Sequence, residues 1–247
     1  MNMNSKEKDK LELKYSYGQA NITDNKIIIL STPSETSEII TDNTVSNPID
    51  FDQIIIDKKN NHKYISFISI SGIRRYILIE SNNISKASIN YLNPEKHRDN
   101  IFAKYQEYYI NNYTPEKISS QNTKKSLSFF INNLKNNLQP EALSLCAQFV
   151  HWSLNATGFH FQGKYSAKLW YMEGLINQIG FHEIPNDSKL KVGDIMLIVN
   201  DKTKNIEDYY GHIVVWDGEY WLCDSRDSVL YENKKYMHLY RYDSWDE

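Results

Sequence analysis

Pro140-Glu-Ala-Leu-Ser-Leu-Cys146-Ala-Gln-Phe-Val-His-Trp152-Ser-Leu-Asn155 decides how the second half of the chain is read. Pro140 suits a first helical turn, Glu141 suits the positive helix end, and Leu143, Cys146, Val150 and Leu154 recur at helical spacing. The run Asn155 to Gly158 ends the predicted helix. Cys146 therefore falls in the first turns, where the helix dipole favours a thiolate over a thiol. Taken alone, such a cysteine reads first as a small core hydrophobe. The residues downstream of it decide between the two readings.

Leu190 to Val199 reads as a turn followed by a buried strand, and Gly211-His-Ile-Val-Val-Trp216 as a second strand beginning at His212. Asp217-Gly218 marks a hairpin turn. A three-residue loop, Asp217 to Glu219, pairs Trp216 with Tyr220 and sets His212 directly opposite Asp224. A two-residue loop puts Cys223 opposite His212 instead, because neighbouring strand residues face opposite ways. Asp224 is the expected partner, since a carboxylate on an imidazole N–H fixes the tautomer and stabilises the imidazolium. Cys146, His212 and Asp224 are thus expected to be nucleophile, base and orienting group.

These pieces together resemble the NlpC and CHAP superfamily of papain-like cell-wall cysteine peptidases and amidases. The resemblance rests on Cys-Ala-x-Phe-Val at Cys146 to Val150, Gly-Phe-x-x-Ile at Gly180 to Ile184, Gly193-Asp194 before a strand, Gly-His-Ile at Gly211 to Ile213, and Trp-x-x-Asp at Trp221 to Asp224. Glu232 to Arg241 is similar to the closing strand of peptidoglycan amidases delivered by type VI secretion. The resemblance covers about residues 138 to 243 and implies an α+β papain-like domain that cleaves an amide of the wall peptide through a thioester. It further implies a peptidoglycan peptide as substrate, with an immunity protein and a secretion-system component as partners. The wording Leu222-Cys223 before Asp224 departs from the family's pattern. Two other readings stand beside it: a papain-like protease, deamidase or acyltransferase acting on a host protein or small amide, and an inactive binding protein on the same fold.

Residues 12 to 85 differ in character. Gly18 to Ile22, Lys26 to Leu30, Ile39-Ile40, Ile54 to Ile56, Tyr64 to Ile68 and Tyr76 to Ile79 are short β-rich runs separated by Asn, Ser, Pro and Gly, the pattern of a small all-β barrel or sandwich. The unit resembles bacterial Src-homology-3-like domains in Ser31-Thr-Pro-Ser34 and Ser71-Gly-Ile-Arg-Arg-Tyr-Ile77, with Arg75-Tyr76 where the family closes on Gly-Tyr or Gly-Trp. The expected organisation is a polar tail over 1–11, the β unit over 12–85, an Asn- and Lys-rich linker with helices over 86–137, and the hydrolase over 138–247. Within it, helices are predicted at Pro94 to Tyr109, Leu127 to Leu138 and Ser166 to Gln178.

The 247 residues carry a formal net charge of −3, which offers no broad footprint for nucleic acid. Two cysteines are too few for a disulfide framework, and no cofactor is expected. His151, His160, His182 and His238 have no metal-ligand spacing. Met1 to Lys14 has no apolar core, so no secretory signal peptide is expected, and no run reaches membrane-spanning length. A wall enzyme of this kind is expected to be made in the cytoplasm and exported by another route to the periplasm or wall of a target cell. Trp152, Trp216 and Trp221 are candidates to line a substrate groove.

Overall fold

The computed structural model describes residues 11–24, 26–41, 45–111, 125–199, 211–227 and 236–246. The chain divides into two compact units, Met1–Ala103 and Lys104–Glu247.

The first unit is an antiparallel sheet ordered β3-β2-β6-β5-β4-β1-β8, with β7 paired to β6. Its strands are β1 (Leu11–Ile22), β2 (Ile29–Leu30), β3 (Ile39–Ile40), β4 (Ile49–Asp57), β5 (His62–Ile68), β6 (Arg74–Ser81), β7 (Ile84–Ser85) and β8 (Ala87–Tyr91). Alternation along the strands sends Ile65, Phe67, Ile77 and Ile79 to one face, where they pack with Ala20, Ile22, Ile29, Ile49 and Phe51. Tyr64 and Tyr76 cluster separately with Leu30 and Ile55. Between strands, the Arg74 guanidinium forks onto the Asp52 carboxylate at 2.6 and 2.8 Å and also donates to Ser66 Oγ, all three residues being buried. Every predicted strand run has a counterpart, although only Ile29–Leu30 of Lys26 to Leu30 is in the ladder. The sheet also runs on to Tyr91, into the stretch expected to be linker, because β8 pairs with β1 beyond its bulge at Tyr15/Gly18. Gly18 sits at that bulge, where a Cβ would meet the Phe51 ring and Asn90 O. Helix α1 (Pro94–Tyr105) follows and passes into a π-turn over Gln106–Asn111.

The second unit packs helices against an antiparallel sheet ordered β13-β12-β11-β10-β14-β9. Its helices are α2 (Leu127–Asn137), α3 (Cys146–Ala156), α4 (Ala167–Met172) and α5 (Leu175–Gln178). Its strands are β9 (His182–Ile184), β10 (Ile195–Ile198), β11 (His212–Trp216), β12 (Trp221–Leu222), β13 (Arg226–Asp227) and β14 (Met237–Arg241). The architecture is α+β, as expected. Ala147, Val150 and Leu154 of α3 and Phe130, Ile131 and Leu134 of α2 share one core with Ile195, Leu197, Ile213 and Val215. Helix α2, expected as linker, is therefore part of this core; Ser126 caps it by accepting from Phe129 N. The helix predicted over Ser166 to Gln178 is two short ones, broken where Gly174 adopts φ +62°. The closing strand β14 takes up Met237 to Arg241, whereas Glu232 to Lys235 lie outside the described residues. Arg241 locks it to the start of β10 through a bidentate pair with buried Asp194, at 2.8 and 2.7 Å.

Candidate active site

The helix that carries Cys146 begins later than its sequence pattern implies. Pro140 to Leu145 is irregular, and Cys146 is the first helical residue, with Leu145 O accepting the first helical bond from Phe149 N at 3.0 Å. Ser144 lies at φ +60°, left-handed backbone that costs a non-glycine residue about 1–3 kcal/mol. The apolar spacing continues upstream to Leu143 because Leu143 and Leu145 are buried as loop residues, not as helix. Cys146 retains some exposed surface, yet its thiol is crowded. Burial pushes it up to about 12, backbone N–H groups of Ile213, Ala147 and Cys146 itself pull it down, and the nearby Asp224 charge raises it further.

Ile213 belongs to β11, so the sulfur lies against the strand that begins with His212. His212 is opposite Ile198 in the ladder, and Val214, two residues along, shares its face. Cys146 packs against the cluster that contains Val214 and Ile198 and also against the one that contains Ile213 and Val215. Cys146 is thus packed between clusters on the two faces of β11, the strand that opens with His212. Gly211 makes that strand start possible: its φ is +75°, and a Cβ there would stand 3.1 Å from both Ile198 O and Lys168 N.

The hairpin register differs from both expected ones. Trp216 pairs with Trp221 and Val215 with Leu222, leaving a four-residue loop of Asp217 to Tyr220. The cause is the Asp217 side chain, whose Oδ1 accepts from Glu219 N at 2.8 Å and Tyr220 N at 2.6 Å, with Gly218 at φ +105°. Lys135 holds the other oxygen at 2.9 Å. After Leu222 the chain leaves the ladder in a turn closed by Cys223 N donating to Ser225 O. Asp224 is therefore a turn residue, and the expected direct pairing with His212 does not form.

Its buried carboxylate serves another segment. Oδ2 accepts from Leu143 N at 2.8 Å and Leu145 N at 3.0 Å, while Oδ1 accepts from the Cys223 thiol at 3.1 Å. Its backbone carbonyl accepts from Gln139 N at 2.7 Å. Burial and the adjacent Asp224 charge push the Cys223 thiol up strongly. Hairpin arithmetic could not reveal the contacts with Gln139, Leu143 and Leu145, because they run between segments some eighty residues apart. The one local sign was the acidic residue following an apolar strand.

Trp152, one of the three groove candidates, is a core residue, 5% exposed and edge-on to Tyr105 and Phe149. Trp216 and Trp221 are half-buried, with ring centroids 5.2 Å apart, and Trp221 packs in the same cluster as Cys146. The four histidines that lack metal-ligand spacing each have a local partner: His151 with Phe161 O, His160 with Asn155, His182 with Asp243, and His238 with Glu183. Among the described residues there is no group of three or more His, Cys, Asp or Glu suited to a metal ion, and no helix long and apolar enough to cross a membrane.

No protein-family model matches the chain, and no curated protein matches it. Among solved structures it is similar to the type VI effector–immunity complex Tae3-Tai3 from Ralstonia pickettii, with 23% identity, a TM-score of 0.39, and coverage of 48% of this chain and 99% of that one. It is similar to NlpC2 from Trichomonas vaginalis at 16% identity and a TM-score of 0.28, covering 94% of this chain and 67% of that one. A lysostaphin SH3b P4-G5 complex overlaps 32% of this chain and 91% of its own, at 16% identity and a TM-score of 0.28.

Proposed function

We propose that the second unit is a cysteine hydrolase that cleaves an amide bond in the peptide part of peptidoglycan. The observation that carries the chemistry is the placement of Cys146 at the first residue of a helix, packed against the strand that opens with His212. A thiol pushed up to about 12 by burial is a poor nucleophile until its proton is taken, and His212, at the start of the adjoining strand, is the imidazole assigned to take it. In this mechanism His212 accepts the thiol proton as sulfur attacks the scissile carbonyl carbon. The tetrahedral oxyanion is met by N–H groups at the helix start. His212 then returns the proton to the leaving amine, giving a thioester, and activates the water that hydrolyses it.

The substrate class comes from the motif resemblance at Cys146, Gly193-Asp194, Gly211 to Ile213 and Trp221 to Asp224. On this reading the enzyme acts in the periplasm or wall of a target cell, and a producing cell needs an immunity protein against it. Trp216 and Trp221 form one wall of the substrate groove. Incubating the full chain with purified sacculi and sizing the soluble products tests the reading. Defined muropeptides released by the wild type and not by Cys146→Ala are expected. Intact sacculi together with turnover of a protein amide would move the substrate to the host-protein class.

A further inference from the structure

Asp224 is expected from the sequence to orient the imidazole, but its hydrogen bonds lead to the nucleophile. Both carboxylate oxygens are used: one by the N–H groups of Leu143 and Leu145, the other by the Cys223 thiol. The two backbone donors flank Ser144, which holds φ +60° without being glycine. A single anionic oxygen bridges these two N–H groups across left-handed Ser144. That conformation brings the chain into Leu145 at an angle that lets Cys146 open the helix. With the Leu145 N–H held by the carboxylate, the N–H groups of Cys146 and Ala147 remain for the sulfur.

We propose that Asp224 is a positioning residue for the nucleophile's backbone, a clamp that holds Leu143 and Leu145 across left-handed Ser144 so that Cys146 begins the helix. The proposal rests on Cys146 being the nucleophile.

The charge has a second consequence. A carboxylate that orients an imidazolium helps to sustain the thiolate, whereas this one lies close enough to the sulfur to oppose it. The titratable groups beside Cys146 are Cys223 and Asp224 in the turn after β12, and His212 opens the strand β11 that it packs against. Neutralising Asp224 while keeping an acceptor therefore has opposite effects under the two roles.

The test follows alkylation of Cys146 by iodoacetamide, read from the mass of the Cys146 peptide, in the full chain alongside turnover. In Asp224→Asn the amide oxygen still accepts from both N–H groups, so the clamp expects alkylation at pH 8 to rise about tenfold. Turnover is expected to fall by no more than about tenfold in Asp224→Asn and by about 100-fold or more in Asp224→Ala, where nothing bridges the two donors. Adding Ser144→Gly, which adopts the left-handed turn unaided, is expected to restore about tenfold of the Asp224→Ala loss. If Asp224→Ala does not fold, the Asp224→Asn alkylation rate decides alone. Slower alkylation and a loss of about 10⁴-fold in Asp224→Asn would overturn the clamp and return Asp224 to the imidazole. Turnover surviving in Cys146→Ala would remove the hydrolase reading and leave the alkylation comparison standing, so the two failures are distinguishable.

Discussion

His151 makes the second unit sensitive to acid, and the size of the effect can be worked from its surroundings. The ring is fully buried within α3, edge-on to Tyr109 at 4.7 Å, Phe161 at 4.6 Å, Tyr105 at 5.6 Å and Trp170 at 6.1 Å. Its one hydrogen bond joins Nε2 to Phe161 O at 3.0 Å. Burial lowers its pKa from 6.5 to about 4, against the Phe161 carbonyl, which raises it, and with His160 lowering it further. Because the folded value is below the unfolded one, the stabilisation is fully present above pH 6.5 and is lost as pH falls towards 4. The whole window is worth about 3 kcal/mol at about 1.4 kcal/mol per pH unit. Roughly 2 kcal/mol of it is gone by pH 5. All five tryptophans, Trp152, Trp170, Trp216, Trp221 and Trp245, lie in this unit, so urea unfolding of the full chain followed by tryptophan fluorescence reports on it. Between pH 7.5 and 5 the wild type is expected to lose about 2 kcal/mol more than His151→Gln, which keeps a donor for Phe161 O and does not titrate. Equal losses in the two proteins would refute the assignment of the acid sensitivity to this ring.

In the first unit, Asp52→Ala strands the buried Arg74 guanidinium and is expected to cost about 3–5 kcal/mol, read as lost exchange protection in β4 to β6. Replacing both partners by apolar residues of similar volume is expected to cost much less, and an equal cost would show that the pair itself stabilises the sheet. Gly211→Ala forces a side chain into left-handed backbone against Ile198 O and Lys168 N, and is expected to cost about 2 kcal/mol of stability. The same change displaces His212, so turnover on sacculi is expected to fall about 100-fold; unchanged turnover would separate the strand start from the site.

The elements that carry their own periodicity were legible. Short β-rich runs between turn residues gave β1 to β6 of the first unit, and helical spacing gave α1, α2 and the body of α3. The histidine at the strand start was readable from the Gly-His step, whereas the apolar run after Pro140 marked the helix but set its start too early, at residues that are irregular. Register was not readable. The loop length depended on Asp217 bonding to Glu219 and Tyr220, a side-chain decision that hydrophobic patterning does not record. Asp224 was expected opposite His212, whereas its carboxylate accepts from the backbone N–H groups of Leu143 and Leu145. Trp152 could not be told from a groove residue because aromatic cores and aromatic grooves share a composition, and only its packing against Tyr105 and Phe149 separates them.

The central claim is that Cys146 is a covalent nucleophile, and the most direct measurement is the intact mass of the protein quenched in acid during turnover of wall peptide. An acyl adduct that maps to the Cys146 peptide, is released by hydroxylamine and accumulates when the deacylating water is slowed is the predicted result. Turnover with no adduct at any time, retained in full by Cys146→Ala, would contradict it.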